Sequence, residues 1–336
     1  MVLRWRRKTS RAYFIVPAPA HARALRAKVE SFVASPWGQR QRGYDTPHFE
    51  LVEDSSSSPA TDELSLEARG SLTPDLLAFA LSLADAADAM SMRDYRTDHA
   101  VERKDDGTFV TPADREIEVL LRERIAEAYP DHAVLGEEQG GDAATDAEVR
   151  WIIDPIDGTH NFMRGVPIWA TLIAVERGGS IEVGVVSAPA LGTRWWAGRG
   201  LGAYRGATGG RAGAGERIHV SDVPPLEQAQ VVVGDVVSTL DLWAGAQALF
   251  DDAWRVRAPG DFWGFCLVAE GAAEVMLEGA HLYRWDLAPL IPIVEEAGGR
   301  LTDAEGGPLT GAGPLVASNG RLHDEVVRRL VGGSAT

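Results

Sequence analysis

The pattern of apolar and polar positions divides the chain near residue 70. Ahead of that point no apolar periodicity is sustained. The segment is Arg-rich at first and then polar around Ser55-Ser56-Ser57-Ser58-Pro59, and only Ala20 to Phe32 offers a short helical spacing. This composition predicts a disordered extension, or a start-site artefact, over 1–70. At Thr73-Pro74-Asp75 the pattern changes. Thr73 as N-cap and Pro74 in the first turn predict a helix start, and Leu76, Leu77, Ala80, Leu83, Ala84 and Ala87 follow at helical spacing. A folded domain is therefore expected over 71–334.

Thr111-Pro112-Ala113-Asp114 predicts a second helix start, with apolar positions at Ile117, Leu120, Leu121 and Ile125. Strands are expected at 133–135, 170–176 and 182–188, the last two around a Gly178-Gly179 turn, and a further antiparallel pair at 194–197 and 202–204. Helices are expected over 240–250, 262–270, 287–297 and 323–330, with strands at 231–233, 274–277 and 315–317. Helices and strands mix without strict alternation or repeat, so the pattern predicts an α/β fold of layered helices and mixed sheets.

One segment joins this pattern to chemistry. Trp151-Ile152-Ile153 reads as a buried strand that runs into Asp154-Pro155-Ile156-Asp157-Gly158-Thr159. Pro155 lacks a backbone donor and biases Asp154 away from helical dihedrals, so the strand is expected to stop there. Asp154, the Ile156 carbonyl and Asp157 then offer three hard oxygens in one bend, which suits Mg²⁺. A helix opening at Thr159 would place free N–H groups, an anion site, beside that metal.

Bulk properties narrow the partners. The chain of 336 residues is 45% apolar, enough for a large core, and its net charge of −16 disfavours a nucleic-acid partner. The charge is uneven: residues 1–48 hold ten Arg/Lys against Glu30 and Asp45, leaving about −24 on the rest. A single cysteine, Cys266, excludes an internal disulfide and a cysteine-built metal site. No apolar run approaches the roughly 18 residues of a membrane span, and Pro17 cuts short the apolar stretch that follows Arg4-Trp5-Arg6-Arg7-Lys8. The expectation is a soluble, cytoplasmic protein with no membrane partner.

Two more acidic clusters fall where apolar runs end, Glu137-Glu138 and Asp286 after Trp285. A carboxylate there is costly to bury unpaired. Each has a plain alternative: Glu137 as a solvated loop acid, Asp286 as a cap on the following helix. Taken together, a surplus of carboxylates without a His/Cys set favours Mg²⁺ over zinc.

Gly136-Glu137-Glu138, Asp154-Pro155-Ile156-Asp157-Gly158-Thr159 and Trp285-Asp286-Leu287-Ala288-Pro289, followed by Glu296-Ala297-Gly298-Gly299, resemble the signature blocks of the inositol monophosphatase family, in order over roughly 72–332. The resemblance implies alternating helix and mixed-sheet layers, a usually dimeric Mg²⁺-dependent, Li⁺-sensitive phosphomonoesterase, and two or three Mg²⁺ ions. It implies metal ligands at Glu137, Asp154, the Ile156 carbonyl, Asp157 and Asp286, and phosphate-facing N–H groups at Gly158 and Thr159. Thr159 would orient the attacking water, with Asp114 as its proton-relay partner and Glu137 assisting through the metal. Lys104 falls near a lysine that the family places at the edge of the site, although the loop 105–109 differs in length. A metal-binding half over about 71–205 and a substrate-specificity half over about 206–334 follow from the same blocks.

Substrate choice is expected from the second half. Ala258-Pro259-Gly260-Asp261-Phe262-Trp263-Gly264-Phe265 stands where inositol-specific members carry small residues. A carboxylate among aromatic rings suits a cationic amine, although Asp261 is as readily an N-cap for the Phe262 helix. The block also resembles a histidinol-phosphate-hydrolysing subgroup of high-GC actinobacteria, and 30 Arg against three Lys fit that background. Asp261 and Glu278 are the candidates for the amine and imidazole. Glu278 lies one residue further from Asp286 than is usual. His160 and His281 read as surface or packing residues that could border the pocket, Trp195 and Trp196 as sheet packing, and Cys266 as an inert core thiol. The alternatives are an inositol-1-phosphate or fructose-1,6-bisphosphate phosphatase and, from a different class, a catalytically silent paralogue with a regulatory role.

Overall fold

A computed structural model describes residues 2–6, 11–15, 48–52, 61–97, 101–104, 109–141, 147–209, 214–309 and 312–332, with side chains from 73 onward. It divides into two units, Met1–Leu66 and Glu67–Thr336. In the first, β1 (Val2–Arg6) pairs antiparallel with β2 (Arg11–Ile15) and with β3 (His48–Val52). Where the sequence predicts a disordered extension, these three stretches are extended and paired. The suggested helix at Ala20 to Phe32 and the Ser55–Pro59 run lie outside the described residues.

α1 (Thr61–Asp94) begins before the boundary at Leu66 and continues into the second unit, which goes on with β4 (Glu102–Arg103), β5 (Phe109–Val110), α2 (Pro112–Ala128) and β6 (Ala133–Gly136). β7 (Val149–Asp157), α3 (Thr159–Met163), β8 (Ala170–Arg177), β9 (Ser180–Ala188), β10 (Thr193–Gly198), β11 (Gly202–Ala207) and β12 (Glu216–Arg217) follow. Then come β13 (Gln230–Val233), α4 (Val236–Leu242), α5 (Ala246–Asp252), β14 (Arg255–Arg257), α6 (Asp261–Ala269) and β15 (Val275–Leu282). The last elements are α7 (Arg284–Leu287), α8 (Leu290–Glu296), β16 (Arg300–Asp303), β17 (Gly313–Ser318) and α9 (His323–Val331). A seven-stranded sheet runs β12-β11-β10-β9-β8-β7-β6, antiparallel except for β6 beside β7. A five-stranded mixed sheet runs β14-β13-β15-β17-β16.

The period of two along the strands sorts side chains between layers. On β8, Ala170 and Leu172 face one core while Ile173 and Val175 face another. On β15, Met276 shares the first core and Val275 and Leu277 enter a third. The first core also holds Phe265 of α6 and Ile293 of α8, so these helices lie between the two sheets. Leu83 of α1 and Ile117 of α2 cover the outer face of the seven-stranded sheet, and Leu249 of α5 and Val326 of α9 that of the other. The result is the expected alternation of helix and sheet layers. Trp195 and Trp196 are buried on opposite faces of β10, as sheet packing requires. No helix among the described residues is long and apolar enough to cross a membrane.

Several boundaries differ from the sequence reading. α1 continues through Pro74, so Thr73 is not its N-cap; the Thr73 hydroxyl faces Glu182 Oε2 at 3.4 Å instead. The helix expected over 240–250 is two, broken where Trp243 turns extended ahead of Gly245. The helix expected over 287–297 also divides, at Ala288-Pro289, because Pro289 has no N–H to continue the ladder. β14 and β16 have no counterpart in the sequence reading.

Candidate active site

β7 does not end at Pro155. It runs to Asp157, but its register against β8 shifts: Asp154 pairs with Leu172 and Asp157 with Ala170. Proline cannot donate to the ladder, so the extra residue is taken up as a bulge, which re-aims the side chains on either side of it. The Thr171 hydroxyl holds the Pro155 carbonyl at 2.8 Å, and Asp154 Oδ1 accepts the Ile156 N–H at 3.0 Å. Gly158 then turns with φ of 79°, where a Cβ would press on the Ile168 carbonyl at 3.0 Å.

The bulge brings Asp154 and Asp157 together with a carboxylate from far along the chain. Asp154, Asp157 and Asp286 each place an oxygen within 4.8 Å of the others. Asp286 does not cap a helix starting at Leu287 but lies inside α7 at its N3 position, where Oδ2 accepts the Tyr283 N–H at 2.7 Å in a capping box, and the same carboxylate joins the cluster. Burial, then repulsion from Glu137, Asp157 and Asp286, pushes the Asp154 carboxyl well above the usual range. Burial, then Asp261 and Asp286, does the same to Asp157. Asp286 is pushed up to about 7, chiefly by burial. An all-oxygen set of desolvated carboxylates is the donor chemistry that a hard divalent cation satisfies.

Glu137 stands beside this trio on the wall of a cavity of about 340 Å³. The Lys104 ammonium bridges Glu137 Oε1 at 2.8 Å and Glu138 Oε1 at 2.6 Å. Burial opposes the charge on Lys104, but these two carboxylates outweigh it and raise the pKa. The loop 105–108 lies outside the described residues. Thr159, at the start of α3, donates to the Ile156 carbonyl at 3.0 Å, with Asp114 Oδ1 at 3.4 Å. Thr111 N and Oγ1 donate to Asp114 Oδ2 at 2.8 and 2.5 Å, a capping box with Pro112 at N1. Asp114 is fully buried, and that burial raises its carboxyl to about 6.

The remaining wall differs from the sequence reading in part. Asp261 and Phe262 line the cavity, but Trp263 borders a separate groove and Phe265 is core. Asp261 is not the N-cap of α6: it has φ of 48°, and Oδ2 accepts from Asn161 Nδ2 at 3.1 Å. The Phe262 N–H is taken instead by Asp157 Oδ2 at 3.1 Å. Glu278 is buried and accepts from the Ala280 N–H at 2.9 Å and the Asp235 N–H at 3.4 Å. His160 and His281 both line the cavity, as do Phe109, Tyr283 and Trp285, which sequence reasoning missed. No local period marks them, because His281 lies near the end of a strand, Tyr283 is the N-cap of α7 and Trp285 lies within that helix. Cys266 is buried, and burial pushes its thiol well up, as an inert core residue requires.

A profile of the inositol monophosphatase family matches residues 74–333. The chain is 46% identical over 269 residues to a histidinol-phosphatase of Mycobacterium tuberculosis, covering 78% of this chain and 100% of that one. It is 45% identical over 267 residues to a histidinol-phosphatase of Streptomyces coelicolor, covering 76% and 97%. Among solved structures, an IMPase of Thermotoga maritima superposes with a TM-score of 0.68 at 31% identity, over 76% of this chain and 96% of that one. The layered fold, the order of the carboxylate blocks and these likenesses converge, and the chain belongs to the inositol monophosphatase family.

Proposed function

We propose that this protein is a Mg²⁺-dependent phosphoric monoester hydrolase that cleaves histidinol phosphate to histidinol and phosphate, a step of histidine biosynthesis. The observation that carries the hydrolase reading is the convergence of Asp154, Asp157 and Asp286 next to the Thr159–Asp114 pair. The substrate reading draws on the two relatives above and on the carboxylates Asp261 and Glu278 in the cavity wall.

Glu137, Asp154, Asp157, Asp286 and the Ile156 carbonyl are the residues that would hold two or three Mg²⁺ ions. When bound, such ions act as Lewis acids toward phosphoryl oxygens and make water a better nucleophile at neutral pH. The chain's own groups do the rest. The N–H groups of Gly158 and Thr159 face the phosphate, ahead of the first helical hydrogen bond from Asn161 N–H to Gly158 O at 2.8 Å. Thr159 orients the attacking water through its hydroxyl. Asp114, fixed on one oxygen by Thr111, takes the proton on the other, and its raised pKa brings it nearer to the working pH of a general base. Lys104 holds Glu137 and Glu138 at the edge of the site. Asp261 and Glu278 recognise the amine and imidazole of the alcohol by charge-assisted hydrogen bonds. The protein acts as a cytoplasmic homodimer, with metal-holding residues mostly in the half up to about 205 and recognition residues in the half from about 206.

Phosphate release from histidinol phosphate with Mg²⁺, and after chelation, tests the reading. Release that needs Mg²⁺ supports it; no release under either condition favours a silent paralogue.

A further inference from the structure

β15 and β17 lose register between Glu278 and Leu282: Glu278 pairs with Leu315, but Leu282 pairs with Gly313. Four steps on β15 thus run against two on β17, and the surplus forms a bulge over Gly279 to His281. Glu278 folds its carboxylate back onto the bulge, through the Ala280 N–H at 2.9 Å. Beyond it, His281, Tyr283 and Trp285 form a ladder. The rings of Tyr283 and Trp285 stack at 5.1 Å and 15°, and the His281 ring meets Tyr283 at 5.2 Å and 83°. All three line the cavity, and Tyr283 remains 37% exposed. The ladder is tied to the reaction centre, since the Tyr283 N–H holds Asp286 Oδ2 at 2.7 Å.

Aromatic faces attract flat rings and cations, whereas a polyol needs a fan of neutral hydrogen-bond partners. Around this ladder the wall presents rings and the carboxylates of Asp261 and Glu278. We propose that the His281–Tyr283–Trp285 ladder is the surface on which a planar, cation-forming ring of the leaving alcohol stacks, with Tyr283 as the residue that selects it. The inference deepens the phosphatase reading and rests on it for the identity of the substrate. The bulge sets the ladder's place, and the backbone bond to Asp286 keeps a fixed spacing between the ring platform and the carboxylate cluster. Any residue but proline at 283 retains that backbone bond, so the ring can be removed without releasing Asp286.

The test compares the full-length wild type with Tyr283→Ala and Tyr283→Phe on histidinol phosphate and on the ring-free ester glycerol 2-phosphate. The kcat/KM ratio between the two substrates is expected to fall about tenfold in Tyr283→Ala and to keep its wild-type value in Tyr283→Phe. An unchanged ratio in Tyr283→Ala overturns the proposal. Titration of tryptophan fluorescence with histidinol reads the same contact without turnover: Tyr283→Ala is expected to weaken binding about tenfold, and an unchanged Kd overturns the proposal. Weakened histidinol binding in a protein whose wild type does not hydrolyse histidinol phosphate would count against the phosphatase reading alone.

Discussion

The Glu118 carboxylate of α2 occupies the space that a side chain at Gly136 would need. Glu118 is fully buried. It accepts the Glu138 N–H at 2.7 Å, the Gln139 N–H at 3.1 Å and Arg122 Nε at 2.7 Å, so it grips the turn that carries Glu137. One helical turn earlier, Asp114 reaches Thr159. A single face of α2 thereby positions two parts of the site. Gly136→Ala should displace Glu118 and loosen the Glu137 turn, at a cost of about 1–3 kcal/mol. A lower Tm together with a higher Mg²⁺ requirement is the expected outcome; a raised Mg²⁺ requirement would be absent if Glu118 served only the fold.

Asp157 takes the Phe262 N–H on one oxygen and joins Asp154 and Asp286 with its carboxylate. Asp157→Ala removes a proposed metal ligand, and kcat should fall about a thousandfold or more. Isothermal titration with Mn²⁺ should show weakened binding in the same variant. Normal hydrolysis by Asp157→Ala would remove the metal assignment.

Asp114 must be ionised to accept a proton, and its carboxyl is raised from 3.8 to about 6. The rate should therefore fall as pH drops below about 6. Asp114→Asn should lower kcat by about 10²–10⁴, flatten that acid limb and leave Mg²⁺ affinity little changed. A pH–rate profile of both proteins checks all three outcomes.

The carboxylate cluster also sets a pH dependence of stability in metal-free protein. Asp154, Asp157 and Asp286 are raised in the folded state, Asp286 to about 7, so between the unfolded value of 3.8 and about 7 the folded chain binds more protons than the unfolded one. Stability contributed this way is present at low pH and lost as pH rises through the folded values. His323, buried and lowered to about 4, opposes this as pH falls below 6.5, but it is one group against three. Metal-free Tm should thus be higher at pH 6 than at pH 8, and Mg²⁺ should raise Tm more at pH 8. Calorimetry with and without chelator measures both.

Asp261 is held by Asn161 at 3.1 Å, and α3 thereby links the turn proposed to face phosphate to the wall proposed to recognise the alcohol. Asp261→Asn should raise KM for an amine-bearing ester about 10–100-fold, the worth of a charged hydrogen bond, and Asn161→Ala should raise it less. An inositol phosphate should respond weakly to either substitution.

What was legible in the sequence follows from range. Asp154 to Thr159 lie within one strand–turn–helix, and the Thr111–Asp114 capping box within four residues, so local rules place them. Asp286 and Glu137 were reached through the resemblance, because nothing local shows which distant carboxylates will meet. Pro155 reads as a stop in the sequence but is none in the fold, because a neighbouring strand absorbs the unpaired residue as a bulge, and that depends on β8. Trp263 and Phe265 fall outside the pocket although they adjoin Asp261 in sequence, because helical periodicity does not say which face of α6 meets the site and which the sheets. Glu118 is not legible in the sequence because its partners are backbone N–H groups of another element, which leave no mark there.

The most direct measurement is kcat/KM of the purified, Mg²⁺-loaded protein for histidinol phosphate, inositol-1-phosphate and fructose-1,6-bisphosphate under one set of conditions. The carboxylates at 261 and 278 and the aromatic wall call for histidinol phosphate to lead by about tenfold or more. A preference for inositol-1-phosphate or fructose-1,6-bisphosphate would contradict that reading, while leaving the metal-dependent phosphatase site in place.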